Sequence, residues 1–246
     1  MIIGAGVTAM QAAIRSLDTA IMPRCCAFCG TECDTSEAFC CHGCFVDLPW
    51  LETRCDRCAQ PVVTQLPTGL HCAQCQLKPP PFIAAAAPLI YTFPVDAAIK
   101  AMKFRRRLDY VPAFSAMLYA SLTDLPHDVD ALLPVPLHWR RQAMRGFNQA
   151  HELCKPLSRQ SGLKIIPNVR RSRATLYQSG LHAAERRRNL RAAFTVYGAI
   201  DAQHVLIVDD VITTGETCRQ LATVVLQAGA CKVSVLAVAR ATAAHD

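Results

Sequence analysis

The chain has 246 residues, 52% of them hydrophobic, with a formal net charge of +7. That length suits one ordinary domain plus a smaller module, with a sizeable buried core. No stretch approaches the roughly 18 uninterrupted apolar residues of a membrane span, so a transmembrane role is excluded as the first reading.

The first 22 residues are Ala-rich and contain Arg15 and Asp18. They have no basic region ahead of an apolar core, so they read as a helical or frayed extension, with Met10 and Met22 as alternative starts, and not as a signal peptide. Of 14 cysteines, 11 fall between Cys25 and Cys75. Without a secretion signal the expected compartment is the reducing cytoplasm, where clustered cysteines bind metal more often than they form disulfides.

Residues 23–80 form the Cys-rich module. Four pairs share one spacing: Cys26/Cys29, Cys41/Cys44, Cys55/Cys58 and Cys72/Cys75. A two-residue gap lets both sulfurs of a pair reach one ion at about 2.3 Å, and eight thiolates suffice for two tetrahedral zinc sites. The segment is too short to bury its own core, so structural zinc takes that role. Sequential and interleaved pairing both stay open. Cys25 and Cys40 each adjoin a chosen ligand and could substitute for it; Cys33 reads as packing.

Lys78-Pro79-Pro80-Pro81 reads as a stiff linker. Residues 81–246 then show α/β alternation. Ala85 to Tyr91 is a predicted strand. Pro94 opens a helix carrying Val95, Ala98, Ile99 and Met102 at helical spacing. Asp109 is a predicted cap for a second helix, with Phe114, Met117, Leu118 and Leu122 on its apolar face. Strands follow at Asp130 to Val135 and Leu163 to Ile166, around a helix from Asn148 to Ser161 closed by Gly162. Val205 to Val208 is an apolar strand covered on both faces. A helix from Glu216 to Ala228 stops at Gly229, and Val233 to Ala239 is the last strand. The alternation implies a parallel sheet flanked by helices.

The most informative segment is Asp209-Asp210-Val-Ile-Thr213-Thr214-Gly215-Glu216-Thr217. Ligands of open α/β sheets bind at the carboxyl ends of strands. Backbone N–H groups from Thr213 to Thr217 can form an anion nest, and the following helix start adds its positive end. Gly215 allows close approach, and the Thr hydroxyls add donors. Asp209 and Asp210 would repel a phosphate but suit ribose hydroxyls, directly or through Mg2+. Together these groups fit the ribose-phosphate end of phosphoribosyl pyrophosphate (PRPP).

Charge is unevenly spread. Residues 100–191 hold 18 Lys and Arg against 6 Asp and Glu, a balance of +12, while the remaining residues carry −5. Two readings stay open: a solvated surface with a pyrophosphate site, or a surface for polyanions such as single-stranded DNA, with Phe104, Tyr110, Trp139 and Phe147 interleaved. Arg140, Arg141 and Arg145 follow the Leu132 to Val135 strand. In the basic run, Arg186 and Asn189 share a helical face at a spacing of three.

These features resemble type I phosphoribosyltransferases and, more narrowly, the ComF/GntX family of competence and DNA-utilisation proteins. The resemblance spans about residues 24–240 and rests on ordered motifs. They are the cysteine pairs, Cys44-x-x-x-Leu48-Pro49-Trp50, Lys100-x-x-Lys103-Phe104, Pro134-Val-Pro136, Arg145-Gly-Phe-Asn148-Gln149, Gln178-x-x-Leu181-x-x-x-Glu185-Arg186-x-x-Asn189, Phe194 and the PRPP loop. Ala59 departs from a Gly that often follows the third cysteine pair. The resemblance implies PRPP contacts from Asp209, Asp210, Thr213, Thr214, Gly215, Glu216, Thr217, Arg145 and Arg186, with the two acids as catalytic candidates. It implies that the loop after the Leu132 to Val135 strand holds a pyrophosphate, whose charge Arg140, Arg141 and Arg145 would neutralise. It also implies a flap over Thr175 to Phe194, and partners that include DNA and helicase-type DNA-uptake proteins. Three functions share the loop: an accessory protein for imported DNA, a catalytic phosphoribosyltransferase of a nucleobase or amine, and a PRPP sensor. The cysteine module and the lack of a readable base pocket favour the first.

Overall fold

The computed structural model describes residues 25–33, 39–67, 69–171 and 193–242. The chain divides into two compact units, Met1–Leu48 and Pro49–Asp246. Among the described residues no helix is long and apolar enough to cross a membrane.

In the first unit, Cys26 N donates to Thr31 O at 2.7 Å and Gly30 N to Cys26 O at 2.9 Å, closing a tight turn. Gly30 takes φ 77°, a left-handed conformation that favours glycine. Helix α1 (His42–Asp47) carries Cys44.

The second unit is built on a parallel sheet. In chain order its elements are α2 (Ala73–Leu77), β1 (Ala84–Ala86), β2 (Leu89–Ile90), α3 (Val95–Arg105), α4 (Tyr110–Ala120), β3 (Ala131–Pro134), α5 (Trp139–Arg145), α6 (Gln149–Ser161) and β4 (Lys164–Ile165). Then come β5 (Val169–Arg171), β6 (Phe194–Val196), β7 (His204–Ile212), α7 (Glu216–Gln227) and β8 (Lys232–Arg240). The strand order is β1-β8-β7-β3-β4, with β2 also on β8, and every pair is parallel. Strands β5 and β6 form a separate antiparallel pair.

The long apolar strands fill the middle, as their composition requires. Val205 and Ile207 of β7 share a core cluster with Leu221 and Val225 of α7. Strand alternation sends Leu206 and Val208 to the other face. Helices α4 and α6 pack on each other there, and Phe114, Leu118, Leu153 and Leu157 are fully buried. The buried Ser115 hydroxyl donates to Leu153 O at 3.1 Å and pins the pair.

Several sequence expectations need correction. The predicted strand from Ala85 to Tyr91 is two short strands broken at Ala87–Pro88. Asp109 precedes α4 but makes no side-chain cap; its carboxylate is taken by Arg107 at 2.6 and 2.8 Å. Strand β7 does not end at Val208. It runs on to Ile212, because β8 continues the ladder with Asp209 opposite Ala237 and Val211 opposite Ala239. The acids therefore lie near the carboxyl end of the strand, still within its ladder.

Candidate functional site

Asp209 and Asp210 sit at the carboxyl end of β7, and consecutive residues of a strand face opposite sides of the sheet. Asp210 is buried, and its Oδ2 lies 2.7 Å from Lys103 Nζ at the end of α3. Arg145, closing α5, is stacked over Phe104 with 5.1 Å from its guanidinium carbon to the ring centroid. Burial lowers the Arg145 pKa, and the nearby Asp210 carboxylate opposes that. Asp209 accepts from the Asp210 N–H at 2.8 Å. Burial first, then the Asp210 charge, push Asp209 up to about 8. The Lys103 charge opposes that rise. Arg171 also feels the Asp209 charge: burial, then Arg141, lower its pKa, and Asp209 raises it.

Beyond the acids, Thr213 and Thr214 are exposed and Gly215 takes φ 75° as the residue before α7. A side chain there would be strained by the backbone alone, since only Ile212 Cγ2, at 3.9 Å, comes near an added Cβ. Glu216 starts the helix, and its carboxylate accepts from Gln220 at 2.8 Å. The loop thus offers exposed Thr hydroxyls and a helix start beside two carboxylates, a combination suited to a phosphate next to a diol.

The segment from β3 to α6 frames this region. Asn148 donates to Val135 O at 3.0 Å and accepts from Ala150 N at 3.0 Å, so one side chain ties the strand end to the helix start. Gly146 takes φ 81°, and an added Cβ would meet Arg106 Nη2 at 3.2 Å. His138 is buried, with Nδ1 accepting from Arg140 N at 3.3 Å. Burial, then Arg140, Arg171 and Arg141, keep His138 below its ordinary pKa. Arg186, Asn189 and the rest of the predicted flap lie outside the described residues.

The eight cysteines form two sequential groups, Cys26/Cys29/Cys41/Cys44 and Cys55/Cys58/Cys72/Cys75, each with its sulfurs within 4.8 Å of one another. A tetrahedral zinc–thiolate site needs sulfurs about 3.8 Å apart. The Cys29–Cys41 and Cys58–Cys72 sulfurs lie 3.6 Å apart, so both groups could hold a zinc ion. Cys25 and Cys40 belong to neither group. Ala59 takes φ 56°, the left-handed turn position that Gly30 holds after the first pair, which is why glycine suits it. The second group lies in the same compact unit as the sheet.

At the opposite end of β7 and β8, His204 bonds Asp128 Oδ1 at 2.7 Å and Ser234 Oγ at 2.9 Å. Ser234 is fully buried, so this Ser–His–Asp chain has no route to a substrate and serves to satisfy buried polar groups. Sequence reasoning gave no role to Lys103, although it stood in a quoted motif, and passed over Arg171. Neither carries a local signal, because their importance comes from strands and helices distant in sequence.

No family model matches the chain. It is 36% identical over 195 residues to the DNA utilization protein YhgH of Escherichia coli O157:H7, covering 77% of this chain and 85% of that protein. It is 32% identical over 180 residues to Competence protein F of Haemophilus influenzae, covering 70% and 79%. The chain belongs to the ComF/GntX family. Among solved structures, an adenine phosphoribosyltransferase matches over 56% of this chain and 70% of that one, at 15% identity and a TM-score of 0.30, a likeness too low to carry an argument. Family membership therefore rests on the sequence relatives.

Proposed function

We propose that this chain is a PRPP-binding protein of phosphoribosyltransferase type that serves DNA uptake or the use of imported DNA. The names of its relatives, DNA utilization protein and competence protein, support the second half of that reading. The observation that carries the first half is the Asp209–Asp210 pair at the carboxyl end of a parallel strand, next to an exposed Thr-Thr-Gly turn and a helix start.

In this reading the ribose hydroxyls meet Asp209 and Asp210, directly or through Mg2+. Thr213, Thr214, Gly215, Glu216 and Thr217 hold the 5′-phosphate, and Arg145 and Arg186 neutralise the pyrophosphate. Mg2+ would neutralise part of the charge of PRPP. Zinc in both cysteine groups stabilises residues 23–80, the domain 81–246 binds PRPP, and residues 1–22 extend from them. The site is cytoplasmic, where PRPP, single-stranded DNA and helicase-type uptake proteins meet it.

Calorimetric titration of PRPP with Mg2+ tests the reading, followed by a pyrophosphate-release screen across nucleobases. Saturable binding of PRPP, tighter than that of ribose 5-phosphate, supports it. Absence of heat at millimolar PRPP defeats it. Pyrophosphate release with one base would instead favour a catalytic phosphoribosyltransferase.

A further inference from the structure

We infer that Arg240 and Gln60 form a strut through which the second cysteine group positions the phosphate loop. The inference rests on the loop being the PRPP site, as proposed above.

Arg240 ends β8 and is buried. Its Nη1 donates to Ile212 O at 2.8 Å, to Ala241 O at 3.2 Å and to Thr213 O. Its Nη2 donates to Gln60 Oε1 at 2.6 Å. One guanidinium therefore holds the carbonyls on which the loop begins and a side chain two residues beyond Cys58. Gln60 is itself placed by the cysteine turn, because Cys55 N donates to Gln60 O at 2.9 Å. A second tie runs in parallel: Arg219 of α7 donates to Lys78 O at 3.0 Å and Pro79 O at 3.3 Å, just after Cys75.

The consequence follows from peptide geometry. A trans peptide sets each N–H antiparallel to the carbonyl before it. Anchoring the Ile212 and Thr213 carbonyls on Arg240 turns the Thr213 and Thr214 N–H groups away from the guanidinium. Those two N–H groups begin the anion nest. Arg240 is a positioning residue: it acts on the ligand through backbone amides.

Hydrogen exchange across Thr213–Thr217 tests the strut in the zinc-loaded full chain, with Val205–Val208 of β7 as the control for an intact core. Gln60→Ala removes one acceptor and leaves every cysteine in place. It should speed loop exchange about tenfold and weaken PRPP binding by a similar factor, with zinc content and control amides unchanged. Gln60→Glu keeps an acceptor for Arg240 and should restore protection. Cys72→Ser, which costs the second group its metal, should mimic Gln60→Ala. Loop exchange that stays at the wild-type rate in Gln60→Ala, or that Gln60→Glu does not restore, overturns the strut. If the wild type binds no PRPP, the proposed function fails, while the exchange rates still decide whether the cysteine group holds the loop.

Discussion

Lys103 Nζ lies 2.7 Å from Asp210 Oδ2, joining the last turn of α3 to the carboxyl end of β7. The pair is largely shielded, with side-chain exposures of 21% and 10%, so removing one partner leaves the other buried and uncompensated.

Asp210→Asn should weaken PRPP binding by about 1.5–3 kcal/mol while the fold stays intact. Lys103→Met should destabilise the protein by about 3 kcal/mol, because a buried carboxylate loses its partner. The double variant should recover much of that loss, since neither charge is then stranded. Calorimetry in Mg2+ and urea unfolding measure the two effects. Unchanged PRPP affinity in Asp210→Asn would remove this residue from the site.

Asp209 gives a pH signature. Its pKa is pushed up to about 8 by burial and by Asp210, above an unfolded value of about 3.9. The protonated form therefore favours the folded state. That contribution is complete below about pH 4 and is lost as pH rises through about 8. Asp209→Asn cannot ionise, so its melting temperature relative to wild type should rise between about pH 5 and about pH 9. A difference that stays flat across that range would show that Asp209 ionises as an ordinary carboxylate.

Much of this arrangement is legible in the sequence, and the rest is not for physical reasons. Val205 to Val208 announces a buried strand by its apolar run, and Asn148 and Gly162 mark the ends of α6 through cap chemistry. The strand's continuation through Asp209 to Ile212 is set by its partner β8, which a local reading does not include. Helix α5 was missed because it buries none of its residues and so has no apolar stripe to read. The antiparallel pair Val169–Arg171 and Phe194–Val196 was missed because its strands are three residues each and far apart in sequence. Arg240 lies one residue beyond the predicted strand Val233 to Ala239 and carries no local signal; only its bonds to Ile212 and Gln60 reveal its place.

Zinc should be present at two equivalents in protein purified under reducing conditions. The motive is two sequential groups with sulfurs at tetrahedral spacing. Elemental analysis below one equivalent would defeat it. On chelation, exchange at residues 25–33 and 39–48 should accelerate before that of β7 and β8. The first group belongs to a small unit with little apolar core of its own, whereas the strands are held by a large one.

Single-stranded DNA should bind weakly and with a steep salt dependence. Residues 100–191 carry a balance of +12, and each phosphate contact should contribute a slope of about −0.7 on a log–log plot. The structure sorts the interleaved aromatics. Phe104 and Trp139 are 71% and 63% exposed, each with an arginine over its ring, Arg145 on Phe104 and Arg140 on Trp139. Tyr110 also carries an arginine, Arg107 at 5.4 Å from its ring centroid, but it is half-buried and stacks on Phe114 at a centroid distance of 6.1 Å, so it is the poorer platform. Base stacking contributes about 1–3 kcal/mol and is not screened by salt. Trp139→Ala should therefore lower affinity by a similar factor at about 50 and about 200 mM salt and leave the slope unchanged. Charge reversal at Arg186, Arg187 and Arg188 should flatten the slope, because it removes phosphate contacts. Fluorescence anisotropy of a labelled oligonucleotide reads both effects. If wild type and both variants bind alike at both salts, the arginines serve pyrophosphate and solubility alone, and the DNA reading keeps only the names of its relatives in support.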